Sequence, residues 1–397
     1  MPHIVDQVSL GAIVVVRDRL LEQQAQGRKI LRLESGDPSF NIPAVAREAM
    51  EKALRDGLTH YTASTGIVPL REAIFRKVTT QNGLQVAGPD QVVVTNGAMH
   101  GLYVIFRALL EPGDEVILPD PMWTEIAENV RLAGGTPVPV RLRPEMDYQY
   151  EPAAIEAAVT PRTRAIFINT PQNPIGVVAG HEALEAIAAI AQKHDLMLVS
   201  DEAYEHVIYD GRAHVSLGSL PAAQDRTISV FSLSKTYAMS GLRLGYLIVK
   251  DALLLERIKK LVRCTINGVN SVTQYGAAAA MNGPQDATHA MREEYQKRRD
   301  ILFAALQQAP VLKLFKPGGA FYLWAKIQPE WPGYDGNTDD WSMTNYLIDR
   351  AGIGSSPGSA FGAAGAGHIR FAFSCSTDQV EEAAKILPEV LELSRIA

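Results

Sequence analysis

Short apolar runs alternate with longer amphipathic stretches through the middle of the chain. Gln91–Thr95, Glu115–Leu118, Ala165–Asn169, Leu196–Ser200, Thr227–Phe231 and Gly245–Val249 are continuous apolar runs of strand length. Ala98–Leu110 and Ala183–Lys193, lying between them, carry apolar residues at helical spacing. Runs too short for helices, bounded by turn residues and separated by helical stretches, predict βαβ units. Such units build a mostly parallel sheet with helices on both faces. Towards the C-terminus the alternation weakens. A long helical pattern spans Ala287–Gln308, followed by Lys316-Pro-Gly-Gly-Ala-Phe-Tyr322, a turn-rich loop over Trp331–Asp340 and a strand over Ile369–Phe373. This half predicts a smaller α+β domain that also takes in the N-terminal segment. The expected division is a large domain over residues 46–280 and a small one from 1–45 with 281–397.

Chain length supports that division, since 397 residues exceed the size at which one core stops growing. A content of 47% hydrophobic and 21% charged residues is that of a globular protein. A net charge of -6, without a long Lys/Arg run, argues against nucleic-acid binding. Two cysteines, Cys264 and Cys375, form no disulfide framework and no metal-ligand spacing; they fit a reducing compartment. The apolar run Val8–Val16 is too short for a membrane span and lacks the basic flank of a secretion signal. A cytoplasmic protein with no metal and no membrane partner is expected.

Chemistry concentrates where the candidate strands stop. Asn96-Gly97-Ala98, Asn169-Thr-Pro-Gln-Asn-Pro-Ile-Gly176, Asp201-Glu-Ala-Tyr204 and Ser232-Leu-Ser-Lys235 each begin at the end of an apolar run. Open sheets of this class bind ligands at the carboxyl ends of their strands, so the four motifs predict one shared site. Lys235 has Ser232 three positions before it and Arg243 eight after. An amine between phosphate-binding groups is what pyridoxal phosphate (PLP) requires: a lysine for the Schiff base, a serine and an arginine for the phosphate. Read singly, the motifs have plainer explanations. Asp201 suits a helix N-cap, Asn173-Pro174 a turn, Trp123 a core position, and Arg370 the exposed face of a strand.

Taken as an ordered set from Gly36-Asp-Pro-Ser-Phe40 to Arg370, these motifs resemble the class I aminotransferases of PLP fold type I. The similarity is greatest to the bacterial aspartate-aminotransferase-like branch. The resemblance implies that Lys235 carries PLP as a Schiff base and moves a proton between the substrate's Cα and the cofactor. It implies that Asp201 pairs with the pyridine nitrogen, that Tyr204 and Asn173 contact the ring's 3′-oxygen, and that Trp123 stacks on the ring. Gly97, Ala98 and Met99 at a helix start, with Ser232 and Arg243, would hold the phosphate. Tyr61 would reach the phosphate of the neighbouring subunit, which makes the expected assembly a homodimer with shared sites. Arg370 would bind the substrate α-carboxylate in a bidentate fork, beside a backbone contact at Gly36 and the side chains of Trp123 and Asn173.

The implied reaction transfers an α-amino group from an L-amino acid to a 2-oxo acid, with 2-oxoglutarate as acceptor, in ping-pong order. Some aspartate-specific relatives carry a lysine where this chain has Met99, so neutral and aromatic donors stand beside aspartate. Arg263 is either a distal contact from the other subunit or a solvated helix end. Phe321 and Tyr322 either line the side-chain pocket or pack the small domain. A PLP-dependent C–S β-lyase would use the same residues, and a non-enzymatic ligand-sensing module is the remaining alternative.

Overall fold

The computed structural model describes residues 3–9 and 11–392. Leu10, within the apolar run Val8–Val16, lies outside the described residues, as do both extreme ends of the expected small domain. A short strand, β1, covers Leu31–Arg32. The strands β2 (Val92–Thr95), β3 (Glu115–Asp120), β4 (Thr136–Arg141), β5 (Thr163–Asn169), β6 (Met197–Asp201), β7 (Thr227–Ser232) and β8 (Gly245–Ile248) form one seven-stranded sheet. Its order is β2-β8-β7-β6-β5-β3-β4, and its pairings are parallel except those of β8, which runs antiparallel to both β2 and β7. The expected mostly parallel sheet is therefore present.

Every strand residue of β2, β7 and β8 is buried, which is why these segments read as continuous apolar runs. Successive side chains still serve opposite faces. Ile166, Ile168 and Leu198 pack with the helix His181–Lys193, whereas Ala165, Phe167 and Val199 pack with the helices Gly97–Leu109 and Ala252–Thr265. The strand β4 escapes the sequence pattern. Its residues Thr-Pro-Val-Pro-Val-Arg hold prolines at alternate positions and only Val140 is buried, an arrangement that a sheet edge tolerates.

The C-terminal half supplies β9 (Leu312–Phe315), β10 (Tyr322–Ile327), β11 (Ile353–Gly354), β12 (Ser356–Pro357) and β13 (His368–Ala372). Four of them form an antiparallel sheet in the order β12-β13-β10-β9, while β11 pairs in parallel with β1. The helices Asp286–Leu306, Asp340–Ala351 and Thr377–Val390 cover this sheet. The pairing of β1 with β11 carries the N-terminal segment to the C-terminal sheet.

Trp324 of β10 is fully buried, stacked on His368 at 5.0 Å and edge-on to Phe361 at 5.9 Å, and it packs in the cluster formed under the large sheet. It therefore joins the two sheets by packing alone. Trp324→Ala is expected to destabilise the fold by about 3–5 kcal/mol through lost burial and the cavity left behind, read as a lower midpoint in urea unfolding.

Candidate active site

Four of the large sheet's connections open on one cavity of about 390 Å³. Asn169, Asp201 and Ser232 are the last residues of β5, β6 and β7, and the helix Gly97–Leu109 starts two residues after β2. Of the residues expected from the sequence, Gly36, Ala98, Met99, Trp123, Asn173, Asp201, Tyr204, Ser232, Lys235, Arg243 and Arg370 line this cavity. The geometry brings them together from segments more than 300 residues apart in the chain order, as Glu34 and Arg370 illustrate with a sequence separation of 336.

Lys235 sits at the centre, its Nζ donating to the Gly36 carbonyl at 2.6 Å. Burial pulls its amine down to about 8, against the pull of Asp37, with Arg370 and Arg243 lowering it further. An amine so lowered is neutral in about a tenth of molecules near pH 7, far more than an unperturbed lysine, which helps a nucleophile or proton carrier. Asp201 accepts from the Ala203 amide at 3.1 Å, and burial raises its carboxyl to about 7. Among the described residues no Lys, Arg or His pairs with it.

Tyr204 shares a 2.7 Å hydrogen bond with Tyr322, and burial lifts both phenols. Tyr322 lines the cavity, whereas Phe321 is buried in the core of the small sheet, so the pair left open by the sequence divides between the two roles. Arg370, 1% exposed, donates to Asn173 Oδ1 at 3.0 Å, the Glu34 carbonyl at 2.7 Å and Ser356 Oγ at 3.1 Å. Its guanidinium lies 4.3 Å from the Tyr322 ring centre, and its Nε has no partner in this buried setting. A buried N–H left unpaired is costly, and here it belongs to a residue on the cavity wall.

An anion cradle lies at the opposite side. Gly97 has φ +78°, and a Cβ there would stand 2.5 Å from Arg243 Nη2. At Gly245 a Cβ would meet the Ala98 amide at 2.7 Å and the Gly97 carbonyl carbon at 2.8 Å. The helix start is thus packed against bare backbone, leaving its first N–H groups beside Arg243 and Ser232. Arg243 itself takes a left-handed backbone, φ 54°, and donates to the Ser240 carbonyl at 2.7 Å. Ser232 Oγ accepts from the Ser234 amide at 3.2 Å. A dianionic phosphate, a protonated ring nitrogen and an aldehyde would satisfy, in turn, this cradle, Asp201 and Lys235, so the residues present fit PLP.

Not every expected residue is here. Tyr61 is 92% exposed and belongs to a separate surface concavity with His60, Asn267 and Asn270. Gly97 supports the cradle without lining the cavity. Arg263 is exposed, and His100 accepts the Asn96 amide at 3.3 Å and bonds Thr265 at 2.8 Å, bracing the helix start. Glu202 is fully buried and bonded by Ser200, His214 and Ser216, a structural role behind Asp201. Sequence reasoning missed Ser234 and Ser240, whose hydroxyls share the Ser232–Tyr246 stretch, and Asn169, the last residue of its strand. It also missed Ile13, Arg17, Arg32, Glu34 and Asp37 from the N-terminal segment.

The family model for aminotransferase class I and II matches residues 28–387. The chain belongs to this family. It is 35% identical to an aspartate aminotransferase of Geobacillus stearothermophilus, over 96% of each chain. It is 36% identical to aromatic-amino-acid aminotransferase 2 of Thermococcus litoralis, over 95% of this chain and 96% of that one. Among solved structures, the Thermus thermophilus aspartate aminotransferase with maleate superposes with a TM-score of 0.91 at 35% identity, covering 98% of this chain and 99% of that one. The chain is therefore a transaminase of PLP fold type I and depends on pyridoxal phosphate. Among the described residues no helix is long and apolar enough to cross a membrane.

Asp201 supplies a test of the electrostatics. Its carboxyl titrates near 7 in the fold and near 3.8 when unperturbed. Between those values the folded protein holds a proton that the unfolded chain has released, so this residue's contribution to stability falls as pH rises from about 4 to about 7. Asp201→Asn removes that slope. In the cofactor-free protein, the variant is expected to gain on the order of 2 kcal/mol over the parent between pH 5 and pH 8, while binding PLP more weakly. Urea unfolding at the two pH values and a PLP titration check both halves.

Proposed function

We propose that this protein is a homodimeric aminotransferase that moves the α-amino group of an L-amino acid to a 2-oxo acid in ping-pong order. Aspartate and neutral or aromatic amino acids are the donors, and 2-oxoglutarate is the acceptor. The observation that carries this reading is the opening of a buried lysine amine and a buried arginine fork on one cavity. Lys235 and Arg370 are the two groups that an amino acid's reacting Cα and its carboxylate require. The large domain would span residues 46–280 and the small domain 1–45 with 281–397, placing the cavity between them. A cytoplasmic location agrees with the cysteine usage.

Pyridoxal phosphate, held by Lys235, would supply the electron sink that lets a proton leave Cα. The chain's residues do the rest. Arg370 takes the α-carboxylate in a bidentate contact and fixes which bond at Cα faces Lys235. Lys235, whose amine burial shifts towards its neutral form, would take the proton from Cα. Asp201 holds a proton on the ring nitrogen, and in doing so its charge gains the cation it otherwise lacks. Tyr204, Asn173 and Trp123 would hold the cofactor ring, the first two by hydrogen bonds and the third by packing. Ser232, Arg243 and the amides of Gly97, Ala98 and Met99 anchor the phosphate, with Tyr61 contributed by the partner subunit. A C–S β-lyase would use the same groups, and release of ammonia without an oxo-acid acceptor is its signature.

The deciding experiment is the absorbance spectrum of the PLP-loaded protein during titration with single L-amino acids. Conversion of the bound chromophore to the pyridoxamine form by some donors supports transamination, and ammonia release with no such conversion overturns it. Lys235→Ala is expected to abolish turnover while leaving PLP bound without a covalent link, seen as loss of borohydride trapping. Arg370→Ala is expected to raise KM for every amino acid by about tenfold or more, measured by half-reaction kinetics.

A further inference from the structure

The strand β1 ends in a charged pair that the reading above leaves without a task. Leu31 and Leu33 are buried at 3% and 0%, and the strand alternation puts Arg32 and Glu34 on the other side, where both border the cavity. Glu34 is 1% exposed, and Arg32 keeps about a quarter of its side-chain surface, 25%. The Glu34 carboxylate occupies a notch opposite Gly354 of β11. A Cβ there would stand 2.4 Å from Oε2, so the notch exists because that residue is glycine. Oε1 accepts from Arg32 Nε, while Oε2 has no partner.

This arrangement does two things at once. Through Nε the carboxylate anchors the Arg32 guanidinium, whose two Nη groups make no hydrogen bond to another described residue. Through its main chain the same residue accepts Arg370 Nη2 at 2.7 Å. The Glu34 side chain therefore orients Arg32 while its main chain holds Arg370, and its negative charge offsets part of the repulsion among Arg17, Arg32, Lys235, Arg243 and Arg370, which all border the cavity. Burying a carboxylate costs several kcal/mol, and a surface arginine needs no such support. A free pair of Nη donors beside a cavity is matched by a planar carboxylate. The wall formed by Met99, Leu102 and Ile126 brings no charge of its own.

We propose that Arg32 is the specificity-determining residue for a distal carboxylate, with Glu34 its positioning residue, so that the site favours dicarboxylic substrates: aspartate or glutamate as donor and 2-oxoglutarate as acceptor. The inference rests on the aminotransferase reading, with Arg370 on the α-carboxylate. It assigns to Arg32 the charge that Met99 does not provide.

The test compares the PLP-loaded parent with Arg32→Gln, Arg32→Lys and the double variant Arg32→Gln/Glu34→Gln, which removes the buried carboxylate that the single change leaves unpaired. Half-reaction kcat/KM is measured for aspartate and glutamate against alanine and phenylalanine. Dissociation constants of maleate and butyrate are measured by calorimetry. Arg32→Gln and the double variant are expected to lose about tenfold or more for the dicarboxylic donors and for maleate. Alanine, phenylalanine and butyrate should change by less than about twofold, and Arg32→Lys should recover part of the loss because it restores the charge without the fork. An equal fall for both classes would assign the pair to structure and overturn the inference, as would no change for either. Arginine and lysine are assayed as further donors, and a gain for them in Arg32→Gln that the double variant loses would mean that the site reads a cation, which also overturns it. Should no donor react at all, the aminotransferase reading fails separately, and the maleate-to-butyrate ratio still decides whether Arg32 receives a distal carboxylate.

Discussion

The guanidinium of Arg370 is the joint on which the site depends. It stands on β13 of the small sheet and is held by Asn173 from the connection after β5, by the carbonyl of Glu34 after β1, and by Ser356 of β12. Three regions distant in the chain, around Glu34, around Asn173 and the neighbouring strands β12 and β13, thus meet at one planar cation. Burial penalises that charge, and the three acceptors, with the rings of Tyr322 and Phe361 at 4.3 and 4.6 Å, offset the penalty. The unpaired Nε is the part of the network that the protein itself does not complete.

The remaining charges at the cavity follow the same logic. Lys235 is pressed towards its neutral form and Asp201 towards its protonated form, both by burial. Each is a poor arrangement for the protein alone and a good one beside a cofactor with a carbonyl carbon at one end and a basic ring nitrogen at the other. By contrast, the buried charges behind the site are internally satisfied. Lys77 pairs with Glu205, which stays ionised with its carboxyl near 2, and Glu202 collects three donors. These buried carboxylates are paired with cations or several donors, whereas Asp201 on the cavity wall has no cationic partner among the described residues, a contrast that marks the site.

Much of this was legible along the chain. The six apolar runs became strands because each is largely buried on both faces of a helix-covered sheet, so their patterns are strong and local. The motifs at their ends were legible because turn residues and chemistry-bearing residues coincide there. The strand β4 was hidden by Pro137 and Pro139, whose cost is low only at a sheet edge, and the edge position is not a property of the segment. The reversal of β8 was hidden too, since a buried apolar strand carries no mark of its direction.

Sequence alone determined the class of fold and marked Lys235, Ser232 and Arg243 as candidates, because these depend on local pattern and on residue chemistry at the end of a strand; Arg370, inside β13, stood out only through the family resemblance. Only the tertiary structure decided which side chains share the cavity and in what ionisation state. The parallel pairing of Leu31 with Ile353 carries the N-terminal segment to the cavity beside Arg370. That pairing is what puts Glu34 beneath Arg370, Arg32 beside the cavity and Gly354 opposite a carboxylate. No periodicity records it, because the contact energy belongs to two strands more than 300 residues apart, as the Leu31–Ile353 register shows, and not to either strand alone.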